Sequence, residues 1–393
     1  MTDAAQAPPK LRELVESVAR DQQYDSPTVT IQPISSGGAS YTSKLFHVTV
    51  SSPGKPDLPL FAKMAMISKD IRKKFPAARL YQIECYFYKK LLKIYEKIQT
   101  EHSVPMEHRL RPPRFYGCNE NEMEETMVLE NLSTQGYTLY DRLKSVDWEY
   151  ASTAIEELAK LHALSFAYRA ESPEEYAKSV EELNFNIMTG DKGKTKDVGL
   201  VRSLENAIKM AKDEYKERLS KHVAQLTQSR AHYYKPVRHT VLRHGDFRVS
   251  NLMHRRDENG KLHIVLVDYQ TIQSNNAALD LVYFIFTSTD QQFRAQHYDQ
   301  LVQHYYQQLA LALRRLDLDP AEVYPREDFD VELQAALPYA IFLGLFILQI
   351  VTLDEKDAPS LDTNYEEFSL QPSEEYRERL NGILSDLDRW GLL

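Results

Sequence analysis

Residues 241–280 read VLRHGDFRVSNLMHRRDENGKLHIVLVDYQTIQSNNAALD, and they decide the fold because a carboxylate, a carboxamide and a second carboxylate fall around one hairpin. Leu252 to Arg255 and Leu262 to Val267 are short runs suited to strands, and Asp257-Glu258-Asn259-Gly260 between them carries turn chemistry. If the strands pair, Asn251 and Asp268 stand equidistant from the turn and meet at the open end. Asp246 lies just upstream of Asn251, in the loop that enters the hairpin. Hydroxyl attack on a γ-phosphate requires a carboxylate to orient the hydroxyl and take its proton, together with oxygen ligands for Mg²⁺. Asp246 fits the catalytic role, and Asn251 and Asp268 fit the metal role.

Taken singly, Asp246 and Asp268 could be turn residues and His244 a core histidine; the joint spacing favours the catalytic reading, with His244 assigned to holding the loop. The pattern H-G-D-x-x-x-x-N followed by a strand-terminal Asp resembles the catalytic loop of the aminoglycoside phosphotransferase and choline kinase group, relatives of protein kinases. Within that group the resemblance is closest to the ecdysteroid kinase-like family. It implies ATP and Mg²⁺ as cofactors and a small hydroxylated molecule as acceptor.

A kinase must also hold its nucleotide, and the preceding region offers the parts. Ser35-Ser36-Gly37-Gly38-Ala39-Ser40 lies between a strand at Val29 to Pro33 and an alternating strand at Tyr41 to Val50, where Phe46, Val48 and Val50 share a face. Without a Cβ in the way, backbone N–H groups near Gly37, Gly38 and Ser40 can approach phosphate oxygens, although glycine pairs also mark ordinary hairpins. Leu60 to Ile67 reads as a strand with Lys63 among apolar neighbours, a candidate phosphate-binding lysine or a snorkelling one. On a helix spanning Ala77 to Ile98, Glu84 shares the inward stripe of Leu80, Phe87, Leu91 and Tyr95. A carboxylate there needs a cation, and Lys63 is at hand. The wording Glu84-Cys85-Tyr86-Phe87-Tyr88 resembles the E-x-x-F-Y of the ecdysteroid kinase-like family. Arg114 to Cys118 and Thr126 to Glu130 read as two more strands. Met127 to Leu132 resembles the family's interlobe hinge, with Asn131 in place of the usual aspartate, so Glu130 and Leu132 are candidate adenine contacts.

Beyond the hinge the chain turns helical. From Asp147 a stripe of Ala151, Ile155, Leu158, Leu161 and Ser165 also takes in His162, read as a packed histidine bonded to catalytic-loop backbone. Asp280 is expected to cap a helix and tie down the same loop. Helical patterns continue over about 200–226, 291–316, 331–352 and 373–390. The fold class expected is therefore α+β, a bilobal protein-kinase-like fold with a small antiparallel β N-lobe (1–131, nucleotide-binding) and a large, mainly helical C-lobe (132–393, catalytic and substrate-binding).

With 393 residues and 42% hydrophobic content the chain can bury a core for two lobes, and a net charge of −9 argues against a nucleic-acid partner. Arg72-Lys73-Lys74 reads as a solvated basic face. Two cysteines, Cys85 and Cys118, make no disulfide framework, and MTDAAQAPPK lacks the blocks of a secretory signal, so a cytoplasmic protein is expected. The apolar run Ala335 to Val351 contains Pro338 and Gln349 and falls short of the roughly 20 residues of a spanning helix, which makes it a core helix instead of a membrane anchor.

A protein kinase is disfavoured because the loop reads H-G-D instead of H-R-D and Asp268 is followed by Tyr269-Gln270 instead of Phe-Gly. The resemblance implies a steroid or other lipophilic alcohol as acceptor, and the apolar Leu281, Val282, Tyr283, Phe284 and Phe286 lean the same way. Alternatives are a kinase for a choline- or aminoglycoside-type cationic alcohol, a catalytically silent kinase-fold binding protein, and a metal-dependent hydrolase using Asp246 and Asp268. Family members usually carry tryptophan two residues after the catalytic aspartate; this chain has Arg248, which could contact phosphate or mark an altered acceptor.

Overall fold

Period-2 alternation sorts the side chains of the early strands onto two faces, and the computed structural model shows what each face meets. It describes residues 8–34, 43–65, 72, 76–185, 198–228, 236–353 and 372–393. Strands β1 (Thr28–Ile34), β2 (Ser43–Ser51), β3 (Leu58–Ala65), β4 (Phe115–Asn119) and β5 (Thr126–Glu130) form one antiparallel sheet in the order β1-β2-β3-β5-β4. One face gathers Phe46, Val48, Val50, Leu60, Ala62, Met64 and Val128 against Leu11, Val15, Val18 and Ala19 of helix α1 (Pro9–Asp21). The opposite face carries Lys63, whose cross-strand partners are Leu45 and Met127. Alternation alone thus turns the lysine away from the α1 core.

Helix α1 is an addition to the elements expected from the sequence, although Leu11, Val15 and Val18 carry the i, i+4, i+7 spacing of an amphipathic helix. The helix expected from Ala77 to Ile98 is present as α2 (Ala77–Tyr86) and α3 (Leu92–Glu101), joined by a π turn at Phe87–Leu91. Such turns widen a helix locally. Here the widening follows Glu84 directly and lets Phe87 stack on Tyr269, with ring centroids 3.7 Å apart and planes 10° from parallel. Arg72 is no solvated cation: its guanidinium makes two bonds, 2.6 and 2.8 Å, to Glu125, a side chain only 1% exposed.

The rest of the chain is mainly helical, giving the α+β, bilobal kinase-like architecture. Helices α4 (Trp148–Glu171), α5 (Pro173–Glu182), α6 (Val198–Met210), α7 (Asp213–Gln228), α8 (Ala278–Ser288) and α9 (Gln291–Arg314) enclose two small sheets. In one, β6 (Thr138–Leu139) pairs with β8 (Leu252–Arg256), which pairs with β9 (Leu262–Leu266); in the other, β7 (Val241–Arg243) pairs with β10 (Gln273–Asn275). Asp147 caps α4 by accepting from the Tyr150 amide at 2.8 Å. The segment read as one helix near 200–226 divides because the Lys212 amide leaves the helix to donate to Asn381 Oδ1 at 2.8 Å.

The hairpin register differs from expectation by one residue. Leu252 pairs with Leu266 and Arg256 with Leu262, so Asn251 faces Val267, whose amide donates to the Asn251 carbonyl at 3.0 Å. The hairpin closes where the Asp257 amide donates to the Lys261 carbonyl at 3.0 Å, and counting outward from that pair sets Asn251 opposite Val267. A one-residue slip exchanges faces. Asp268 recovers its aim by taking a left-handed backbone, φ +68°, a conformation that aspartate tolerates better than most residues.

The apolar run behaves as core. Arg326–Val351 is long and apolar enough to cross a membrane by composition, but its most apolar window is 72% buried inside the protein. It is broken after Arg326–Ala336 at Pro338, and Gln349 Nε2 donates inward to the Ser203 carbonyl at 3.0 Å.

Candidate active site

The loop between β7 and β8 is organised from below by Asp280. This fully buried carboxylate, in the first turn of α8, accepts from Arg243 Nη1 at 2.7 Å and from the amides of His244 and Gly245 at 2.7 and 3.0 Å. Burial opposes its ionisation, but Arg243 above all, with His162 and His244, holds the carboxyl far below the usual range. The tie to the loop is as the sequence suggested; the helix cap is not, since Asn276 Oδ1 receives the Ala278 amide at 2.7 Å instead. His162 also departs from expectation. Its ring bonds the Tyr305 hydroxyl at 2.6 Å and Asp280 at 3.4 Å, so it supports the loop through Asp280 and makes no direct bond to loop backbone among the described residues.

His244 holds backbone, as expected. Nε2 lies 3.1 Å from the Val267 carbonyl and the Asp246 amide points at Nδ1 from 3.4 Å, which assigns the proton to Nε2. Burial lowers its pKa despite three nearby carboxylates, so the ring stays neutral. Gly245 between them has φ +87°, and a Cβ there would meet the Thr271 carbonyl oxygen at 2.2 Å. Gly260, in the hairpin turn, has φ +80° but open space around it. Both alanine variants bear the left-handed penalty of about 1–2 kcal/mol. Gly245→Ala is expected to lose clearly more in thermal unfolding than Gly260→Ala, and an equal loss would show that the Thr271 contact does not constrain this loop.

Asp246 is fixed on three sides. Arg248 Nε donates to Oδ1 at 2.9 Å, Asn251 Nδ2 donates to Oδ2 at 2.9 Å and to the Asp246 carbonyl at 2.8 Å, and the Tyr283 hydroxyl of α8 also bonds the carboxylate. Burial would raise the Asp246 pKa, but Arg248 foremost lowers it below the ordinary carboxylate value. The other members of the apolar α8 run, Leu281, Val282, Phe284 and Phe286, are core instead of pocket wall.

The two lobes meet at Lys63. Its ammonium lies 2.9 Å from Glu84 Oε2, 2.5 Å from Asp268 Oδ1 and 3.4 Å from Gln270 Oε1. Burial works against its charge, but Asp268 and then Glu84 overcome that, and its pKa rises. Burial likewise pushes the Glu84 carboxyl up, restrained by Lys63 and by the Tyr269 amide that donates to it. Gln270 Nε2 reaches Asp268 Oδ2 at 3.2 Å. The Phe87–Tyr269 stack and the Lys63 bridge therefore hold both sides of Asp268, a residue 205 positions from Lys63 in sequence.

In the segment that resembles a hinge in sequence, Asn131 Oδ1 accepts from the Ser133 amide at 3.1 Å and its Nδ2 lies 2.8 Å from His47 Nδ1. An asparagine serves that cap as well as an aspartate does. The Glu130 amide donates to the Arg114 carbonyl at 2.8 Å, and its carboxylate accepts from the Arg114 amide at 3.0 Å. The Leu132 carbonyl receives the Tyr137 amide at 3.2 Å. Gly37, Gly38 and Ser40 lie outside the described residues. Of the sequence candidates, Lys63, Glu84 and Asp268 are joined directly, and Asp246 and Asn251 form a second bonded pair. Gln270, Tyr283 and Arg243 were missed; the Tyr269-Gln270 that replaces Phe-Gly was the available signal for the first.

Residues 37–318 match the model of the ecdysteroid kinase-like family. The chain belongs to that family. Ecdysteroid kinase-like membership places it among small-molecule phosphotransferases of kinase fold. No curated protein matches it. Among solved structures it is similar to the GDP complex of wild-type aminoglycoside 2′-phosphotransferase-IIIa, at 11% identity and a TM-score of 0.43, covering 97% of this chain and 99% of that one. The GDP complex of a mutant of the same enzyme gives 10% identity and a TM-score of 0.45, covering 96% and 98%.

Proposed function

We propose that this chain transfers the γ-phosphate of ATP to a hydroxyl of a small, uncharged lipophilic acceptor, an ecdysteroid-type alcohol, with the lobes dividing at residues 131 and 132. The observation that carries the reading is the Lys63 ammonium held jointly by Glu84 and by Asp268 across the interlobe gap. That geometry supports a phosphate-binding role for Lys63 beside a metal-binding role for Asp268, the pairing that transfer requires. Asp246 orients the acceptor hydroxyl and takes its proton. The Leu132 amide and the Glu130 to Leu132 backbone would receive adenine, and Gly37, Gly38 and Ser40 the phosphates.

The donor set suits Mg²⁺. Asn251 spends its amide hydrogens on Asp246, which leaves its oxygen as a ligand, and Asp268 offers a carboxylate that is 24% exposed. Asn251 and Asp268 would hold the ion, which when bound neutralises charge on the transferring phosphate.

Arg248 favours a neutral acceptor over a cationic one. Its guanidinium stands 2.9 Å from the base, where a quaternary ammonium or polyamine would meet repulsion instead of an acidic pocket. Product formation from Mg·ATP should therefore appear with hydroxysteroids and not with choline or aminoglycosides; the reverse preference would overturn the acceptor assignment. Because Arg248 depresses Asp246, the acid limb of kcat/KM should lie below the ordinary carboxylate range. Arg248→Met is expected to move that limb to higher pH, since burial is then unopposed by the nearest cation. An unmoved limb would show that the titrating base is another group.

A further inference from the structure

The two cysteines take no part in the site just described, yet the fold brings them together beside it. Cys85 follows Glu84 on α2 and is 1% exposed, whereas Cys118 lies half-buried on β4. Their sulfurs and a carboxylate oxygen of Glu120 all lie within 4.8 Å of one another, and Cys118 Sγ is 3.7 Å from Glu120 Oε1. Lys89, in the π turn, pairs with Glu120 and also bonds the Cys118 sulfur. We propose that Cys118 and Cys85 form a peroxide-sensitive dithiol that closes to a reversible disulfide next to the Lys63–Glu84 ion pair.

A thiol attacks peroxide as its thiolate, so it needs a neighbouring donor or cation and a route to solvent. Cys118 has both: the hydrogen bond from Cys85 and the Lys89 ammonium lower its pKa, while the same thiol–thiol bond and burial raise that of Cys85. The half-buried sulfur is thus the attacking one and the buried sulfur the resolving one. In the first step the Cys118 thiolate forms a bond to the terminal oxygen of a hydroperoxide; the O–O bond breaks and the departing alkoxide takes a proton. Cys118 is then a sulfenic acid. In the second step the Cys85 sulfur bonds to Cys118 Sγ, the S–O bond breaks, and hydroxide leaves with the Cys85 proton as water. Two thiols and one hydroperoxide give one disulfide, one alcohol and one water, a balanced two-electron oxidation.

Two thiols and a carboxylate could also hold a soft divalent cation, but the Lys89 ammonium already occupies the Glu120 carboxylate and opposes a second positive charge. Disulfide closure brings the sulfurs to about 2.05 Å. That displacement acts on the helix residue next to Glu84, so oxidation should weaken nucleotide binding if the proposed function holds; the cross-link itself does not depend on that reading.

The test is hydrogen peroxide titration of the full-length protein, followed by intact mass and non-reducing peptide mapping. The expected product has lost two hydrogens, joins the Cys85 and Cys118 peptides, and reverts with dithiothreitol. Cys85→Ser should stop at a sulfenic acid on Cys118 that dimedone traps, and Lys89→Gln should slow the oxidation several-fold. A Cys118 that stays reduced, or that advances to sulfinic acid at the same rate with and without Cys85, would overturn the proposal. So would tight zinc retention by a reduced protein that resists peroxide.

Discussion

Asp246→Asn is expected to cut phosphate transfer by about 10²–10⁴-fold, the contribution of a positioned general base. Nucleotide affinity should remain nearly intact, because Lys63 and the hinge are untouched. The carboxylate has two oxygens with two different donors on them, Arg248 at one and Asn251 at the other. An amide in its place must turn its NH₂ toward one of those donors, so a loss of about 1–3 kcal/mol in stability should accompany the substitution. Thermal unfolding separates that cost from the catalytic one. A folded Asp246→Asn protein with near-normal turnover would remove Asp246 from the role of base.

Lys63→Met should have the second large effect, on nucleotide binding and on stability together. Removing one partner of a buried ion cluster costs about 3–5 kcal/mol, because Glu84 at 1% exposure is left with a charge and no cation. Burial already raises the Glu84 carboxyl, and the loss of Lys63 raises it further. With the folded pKa above the unfolded one, the variant keeps its stability at low pH, where Glu84 is protonated in both states. It loses stability relative to the parent as pH climbs through the ordinary carboxyl range and past the raised value. Adding Glu84→Leu should recover much of the stability and none of the nucleotide binding. Recovery of binding by the double variant would show that Lys63 serves structure and not phosphate.

The site was legible where chemistry is written locally. The H-G-D-x-x-x-x-N spacing, the lone lysine among apolar residues of β3 and the acid on the inward stripe of α2 each name a side chain that burial alone would not favour. The joining of Lys63 to Glu84 followed from the need to neutralise that carboxylate. Register was less legible: the hairpin closes at Asp257 and Lys261, which sets Asn251 opposite Val267 and leaves Asp268 one residue beyond, where its backbone is left-handed. Such a φ has no reliable local signature in a non-glycine residue. The Arg248–Asp246 pair lies two residues apart and was in plain sight, yet its meaning depends on burial, which removes the solvent that would otherwise screen it. Tyr283 was hidden by distance, since it reaches Asp246 from α8, whereas Arg243 sits directly before His244 and its role depends on Asp280, 37 residues further on. Helix α1 has a clear stripe in Leu11, Val15 and Val18, but it is short and opens on prolines, and its burial comes from the sheet it packs on.

The two acids of the loop differ in how they are held: Asp280 is fully buried and shapes the loop, while Asp246 is half-buried. Arg243 and two backbone amides satisfy Asp280, so its charge is spent on geometry. Asp246 is restrained instead by side chains, a guanidinium, an amide and a hydroxyl, which position it without enclosing it in backbone.

The most direct measurement is the mass of the acceptor after incubation of the purified protein with Mg·ATP and a panel of hydroxylated lipophilic compounds. The expected result is an acceptor heavier by one phosphate, formed together with ADP, and absent when Asp246→Asn replaces the parent. ADP release with no acceptor gaining phosphate, or nucleotide binding with no turnover on any alcohol in the panel, would contradict the assignment of Asp246, Asn251 and Asp268 to alcohol phosphorylation.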